Sequence, residues 1–262
     1  MSKLSKAQAK AHQAACDLLS KDVLSIDERL FVIENWQESA KHINTIAGAF
    51  FTPWGLARDF SIEVCGRRVI DLCAGIGSLS LAYFLKCQLD RRLPEITCIE
   101  KNPDYLAVGK KVLPEATWIE ADVFDVPDLG LGHFQCAYGN PPFGATPRNS
   151  KKSVGYTGGE FEYHVINIAS KIAEYGTFIV PQMSAPFTYS GKPVYTETNP
   201  ERYQEFSKQT GVELGANCGI DTSVYARDWH GVSVAVEIVT SEFKEPQVEP
   251  VDQFDLFAEA AE

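Results

Sequence analysis

The sequence predicts an α/β fold built on an open, mostly parallel sheet. Three observations carry this: short apolar runs alternate with helical stretches, each run ends on an acid, a glycine or an asparagine, and one of them passes directly into a glycine turn and an apolar helix. That last segment is Arg68 to Ser80, RVIDLCAGIGSLS. Val69 to Leu72 reads as a buried strand, Ala74-Gly75-Ile76-Gly77 as the turn, and Leu79 to Leu85 as the start of the helix. Gly75 and Gly77 permit dihedrals closed to other residues, and helix N-terminal amides beyond them can face a ligand. A plain strand-to-helix turn fits the loop equally well when it is taken alone.

The elements follow in order. Residues 1–48 read as a helical extension, first Lys6 to Leu19 and then Ile26 to about Ile46, with Ser25 and Glu28 as a capping box. Leu30, Ile33, Trp36 and Ile43 can share the buried side of the second helix. An aromatic turn containing Phe51, Thr52 and Pro53 precedes a short helix, Trp54 to Phe60. Further strands are expected at Glu95 to Glu100, Thr117 to Glu120, His133 to Tyr138 and Thr177 to Pro181, with helices to about Val112, from Glu160 to Glu174, and from Pro200 to Gln209. Two last strands, about Val212 to Tyr225 and Val232 to Thr240, flank a hairpin at Arg227 to Gly231, which brings the sheet to seven strands with an antiparallel C-terminal end.

Composition narrows the function. A chain of 262 residues, 45% hydrophobic, can bury one large core. Its net charge of −11 excludes a protein that coats nucleic acid by charge alone. That charge is uneven: Ser241 to Glu262 carries seven acids and one lysine, and the body before it is only mildly acidic. The seven cysteines form no close chelating pair and are odd in number, so buried thiols are expected, with no metal site and no disulfide framework. No signal peptide or membrane-spanning run stands out, and a cytoplasmic location is expected.

In an open α/β sheet, ligands bind at the carboxyl edge of the strands, where Asp71, Gly75, Glu100, Asp122 and Asn140 can meet. Glu100 can accept both hydroxyls of a ribose or cap the helix that follows it. Asn140-Pro141-Pro142-Phe143 carries the most information. Two prolines stiffen the backbone and remove its donors, leaving the Asn140 amide oxygen and the Pro141 carbonyl to accept from an exocyclic amine while Phe143 stacks on its ring. A rigid turn with a core phenylalanine is the plainer alternative for the four residues alone.

Taken together, residues from about Phe50 to Phe243 resemble the class I S-adenosylmethionine-dependent methyltransferases that modify N6 of adenine. The resemblance implies a Rossmann-like methyltransferase domain over 49–243. It implies cofactor contacts at Phe51, Thr52, Pro53, Asp71, Ala74, Gly75, Gly77, Glu100, Asp122, Val123 and Asn140, and a catalytic motif at Asn140, Pro141, Pro142 and Phe143. Leu72 and Cys73 depart from the pattern, since many DNA enzymes of this branch have a proline after the acid. No large target-recognition domain follows the catalytic core. In such a site the cofactor's sulfonium methyl is already activated, so the protein's task is to align it with the amine.

Beyond the tetrapeptide, Gly144 to Gly159 reads as a lid that contacts substrate through Arg148, Lys151, Lys152 and Tyr156, with a disordered surface loop as the alternative. Residues 244–262 form an acidic tether in which Gln253, Phe254, Leu256 and Phe257 resemble the motif that docks bacterial proteins on the replication sliding clamp. Phe254 stands where leucine is usual. An amphipathic tail folded back on the domain is the alternative. The functional expectation is methylation of adenine N6 in DNA. An RNA-adenine or protein-glutamine methyltransferase of the same build, or a non-catalytic cofactor-binding subunit, are the alternatives.

Overall fold

The computed structural model describes residues 5–37, 50–145, 152–229 and 235–243. Its centre is a seven-stranded sheet made of β1 (Arg68–Asp71), β2 (Glu95–Glu100), β3 (Thr117–Glu120), β4 (Phe134–Gly139), β5 (Ala173–Pro181), β8 (Gly215–Ala216) and β9 (Val236–Glu242), in the order β3-β2-β1-β4-β5-β9-β8. The first five strands pair in parallel. The ladders of β9 with β5 and of β8 with β9 are antiparallel. The order reverses between β1 and β4, which places a crevice at their carboxyl ends, just after Asp71 and Gly139.

Both faces of the sheet are covered, which is why its strands read as continuous apolar runs. Val69, Cys98, Cys136, Tyr138 and Ile238 face one layer, formed by α1 (Lys6–Leu19), α2 (Ile26–Asn35), α3 (Trp54–Phe60), α4 (Ser78–Leu89) and α5 (Pro103–Val112). Ile70, Leu72, Ile99, Ala137 and Val239 face the other, formed by α6 (Phe161–Ile172), α7 (Glu201–Thr210) and a 3₁₀ turn, Val123–Leu129. The N-terminal helices are tied to the sheet layer by Arg29, whose Nη1 donates to both Glu115 carboxylate oxygens at 2.9 Å.

Several boundaries differ from expectation. The second helix stops at Asn35 because Trp36 turns extended (ψ 128°) and lays its indole 5.7 Å from the Phe51 ring and 6.0 Å from Tyr105. Ile43 and the rest of its expected continuation lie outside the described residues. Helix α6 ends at Ile172 and β5 begins at the next residue, since Phe134 pairs with Ala173 and Tyr175 with Glu242. Of the strand expected over 212–225, only Gly215–Ala216 forms. The amides that follow go to side chains, Gly219 and Ile220 to Asn217 and Cys218 to Glu63, and Asp221 caps a 3₁₀ turn at Thr222–Tyr225. The last strand is shifted to Val236–Glu242, and residues 230–234 of the expected hairpin are outside the described set. A small hairpin of β6 (Phe187–Thr188) and β7 (Thr196–Glu197) had no sequence signal. The segment leading into it is anchored by the buried Glu237 carboxylate, which accepts from the Tyr189 and Ser190 amides and the Ser190 hydroxyl. Among the described residues no helix is long and apolar enough to cross a membrane.

Candidate active site

The glycine loop leaves β1 through Asp71 and enters α4 with Gly77 at its N-cap. Gly75 has φ +55° and Gly77 φ +90°, a left-handed region that strains other residues. A β-carbon on Gly75 would lie 3.3 Å from the Phe51 ring, and one on Gly77 3.2 Å from the Trp118 ring, so the loop also needs glycine for room.

Asp71 is fully buried. Its Oδ2 accepts from Ser80 Oγ at 2.8 Å, and that hydroxyl also meets Tyr138 Oη at 2.9 Å. Burial pushes the Asp71 carboxyl up to about 7, against the Ser80 hydroxyl and Cys73 amide that favour its charged form. Glu100, at the end of β2, spans back to the loop: Oε2 accepts from the Gly75 amide at 2.8 Å and Oε1 from the Asn102 amide at 2.7 Å. Desolvation raises its carboxyl as well. The cap of α5 is the Asn102 side chain, which accepts from Asp104, so Glu100 is not the helix's side-chain cap. Asp122, one strand further, pairs with Lys101 at 2.7 Å and accepts from the Phe124 amide, while Val123 is buried beside it.

Asn140 follows β4 directly. Its Nδ2 donates to the Phe50 carbonyl at 2.9 Å and to Thr52 Oγ1 at 3.0 Å. With both amide hydrogens committed to acceptors, the orientation of the amide is fixed, and Oδ1 is left buried without a partner. Phe143 is half-buried with its ring 6.5 Å from that of Phe50. Phe51, Thr52, Ala74, Gly75 and Asn140 therefore line one cleft, together with Ser78, which sequence reasoning missed. Ser78 Oγ is also buried and unpartnered. Its position as first residue of the helix after the glycine turn was the available signal.

Unsatisfied buried polar atoms are costly, so two of them on one cleft, Asn140 Oδ1 and Ser78 Oγ, mark it as a place where a polar ligand fits. The cleft is narrow in this conformation, with a cavity of about 20 Å³ beneath the Phe51 ring. Among the described residues no cluster of side chains could hold a metal ion.

The segment after the tetrapeptide differs from an open lid. Tyr156 is buried, its hydroxyl donating to Glu160 Oε2 at 2.8 Å and its ring packed on Tyr163, His164 and Phe206. Lys152 Nζ donates to its own loop's carbonyls at Thr157, 2.5 Å, and Gly158, 3.2 Å. Ser153 is held by His164 Nδ1 at 2.8 Å and Asn167 Nδ2 at 2.8 Å. Tyr156 and Ser153 fasten this segment to α6, while Lys152 is exposed and bonded within its own loop. Arg148 and Lys151, and Gln253, Phe254, Leu256 and Phe257 of the tail, lie outside the described residues.

No protein-family model matches the sequence, and no curated protein matches it. Among solved structures, a protein from Listeria monocytogenes described as a class I S-adenosylmethionine-dependent methyltransferase superposes with a TM-score of 0.55 at 11% identity, covering 95% of this chain and 84% of that one. A type I restriction-modification methyltransferase subunit from Streptococcus thermophilus aligns at 0.47 and 14% identity, over 86% of this chain and 52% of that one. The N-terminal domain of EvdMO1 with SAH bound aligns at 0.47 and 12%, over 90% and 97%. At 11% identity, the likeness to the Listeria protein is one of fold, and the fold is that of a Rossmann-like methyltransferase.

Proposed function

We propose that the chain is an S-adenosylmethionine-dependent methyltransferase acting on a planar exocyclic amine, with N6 of adenine in DNA as its substrate. The observation that carries this reading is Asn140, whose Oδ1 is buried, unpartnered and fixed in orientation by the Phe50 carbonyl and Thr52. Such an atom accepts one hydrogen of the amine and stabilises the positive charge that develops as its nitrogen gains a substituent. Phe143 supplies a ring face for the base. A duplex adenine reaches these groups only after flipping out of the stack.

The cofactor supplies an activated methyl group. The residues that would hold it are Gly75, Gly77 and Ser78 at the helix N-terminus, Phe51 and Thr52 across the cleft, and Glu100 and Asp122 at the ends of the next two strands. Glu100 retains acceptor capacity beyond the two amides it already binds. The preference for DNA rests on the tail, whose Gln253, Phe254, Leu256 and Phe257 suit a clamp-docking peptide.

The test is incubation of the protein with methyl-labelled S-adenosylmethionine and, in parallel, DNA, RNA and glutamine-containing protein, followed by identification of the labelled product. Labelled N6-methyladenine in DNA is the expected result. Label in RNA adenine or in a glutamine amide would keep the amine chemistry and change the substrate, and label in none would remove the methyltransferase reading.

A further inference from the structure

At the edge of the sheet opposite the cleft, the starts of β1 and β2 meet the end of α4 around an open pocket of about 390 Å³. Three exposed arginines line it, Arg67, Arg91 and Arg92, together with the half-buried Pro94 and with Leu93, which is 75% exposed. Helix α4 closes here with the Arg91 amide donating to the Gln88 carbonyl at 3.0 Å and the Arg92 amide to the Cys87 carbonyl at 2.8 Å. The left-handed position of such a cap ordinarily falls to glycine or asparagine, yet Arg91 holds it at φ +56°. Strain is accepted at the residue that brings a cation to the pocket. Arg67 pairs with Glu95 at 3.1 Å and Arg92 with Asp90 at 2.7 Å, with all four side chains about half exposed or more. Exposed pairs of this kind are weak and give way to another carboxylate. Arg91 has no side-chain partner among the described residues.

The described chain ends at this same edge. Strand β9 runs antiparallel to β5, and its exit is fixed by the Phe243 amide, which donates to the Glu174 carbonyl at the start of β5 at 2.8 Å. Strands β5 and β4 separate β9 from β1, a lateral gap of about 14 Å at the ordinary strand spacing. The ten residues from Lys244 to Gln253 extend to about 33 Å, which spans that gap with slack to reach α4. Charge and apolarity match as well. Residues 244–262 carry six acids and one lysine, with Phe254, Leu256 and Phe257 among them.

We propose that this pocket is the docking site of the chain's own acidic C-terminal segment, with its carboxylates on the three arginines and Phe254, Leu256 and Phe257 against Leu93 and Pro94. Asp90 and Glu95 offset most of the arginines' charge, so a free anion is held weakly. A tethered partner needs no high affinity, because a short linker sets its effective concentration in the millimolar range. Docking also removes apolar side chains of both partners from water. The same aromatic and leucine side chains belong to the proposed clamp contact, so the pocket and a clamp compete for the segment. No residue of the cleft takes part, and the docking is independent of the chemistry performed there.

The experiment follows hydrogen–deuterium exchange of the full chain by mass spectrometry. Wild type is compared with Arg67→Glu/Arg91→Glu and with Phe254→Ala/Leu256→Ala/Phe257→Ala. Arg67 and Arg91 are exposed, so the double reversal should keep the fold, which thermal unfolding checks. Residues 89–96 should exchange about fivefold slower in wild type than in the tail variant, and residues 250–258 about fivefold slower than in the arginine variant, at every protein concentration. Equal exchange in the three proteins would overturn the docking. Protection that grows with protein concentration would give the segment to a second copy, and millimolar phosphate restoring protection of 89–96 in the tail variant would make the pocket a free-anion site. Either result would overturn the assignment.

Discussion

Thr52 and Asn140, 88 residues apart, are joined by a hydrogen bond of 3.0 Å from the amide nitrogen to the threonine hydroxyl. The aromatic turn ahead of the glycine loop thus sets the orientation of the amide that follows β4. One element builds the cleft wall and aims its polar group.

Thr52→Val should therefore impair methyl transfer although Thr52 performs no proton transfer. Losing one of two acceptors frees the Asn140 amide to turn, and turnover should fall by about tenfold. Thr52→Ser keeps the acceptor and should retain most activity. Single-turnover rates for the two variants check this.

Gly75→Ala tests the loop. The new methyl group would sit 3.3 Å from the Phe51 ring at φ +55°, so the cost is both backbone strain and crowding, together about 1 kcal/mol or more. Titration calorimetry with S-adenosylmethionine should show markedly weaker binding, and thermal unfolding a lower midpoint. An unchanged isotherm would remove the loop from the cofactor site.

Asp71 predicts a pH dependence of stability. Its folded-state pKa, about 7, lies above the ordinary carboxyl value, so the folded chain holds a proton that the unfolded chain has released. The stability this contributes is full below about 4 and lost as the pH rises to about 7, by roughly 4 kcal/mol at most. Asp71→Asn removes the term. The difference in unfolding free energy between variant and wild type should grow in the variant's favour across that window; His164, which burial lowers, titrates in both proteins and cancels.

Strands β2 and β3 were readable to the residue because their short runs end on acids, Glu100 and Glu120, where the chain leaves the sheet. The reading ran the helix through Glu174 and began the strand only at Thr177, whereas pairing on both sides makes Ala173 to Gly176 strand, and the Phe243 ring leaves no room for a side chain at Gly176. The burial of Tyr156 was not legible either: its segment is rich in Gly and Lys, and the groups that hold Ser153, His164 and Asn167, come from a helix further on. The orphaned Asn140 Oδ1 was visible only in three dimensions, because the partners that occupy its nitrogen come from residues 50 and 52.

The tail yields a prediction independent of the cleft. Replacing Leu256 and Phe257 by alanine should abolish capture by a bacterial sliding clamp while leaving methylation of short oligonucleotides unchanged, because tethering acts through effective concentration alone. Retained capture by the double variant, or none by the intact chain, would return the tail to an ordinary amphipathic segment.

The central claim is that Asn140 Oδ1 receives the target amine, and Asn140→Ala tests it most directly when turnover and cofactor affinity are measured on the same preparation. The account predicts a loss of methyl transfer of about a hundredfold or more with the dissociation constant for S-adenosylmethionine nearly unchanged. Wild-type turnover in the variant would contradict it.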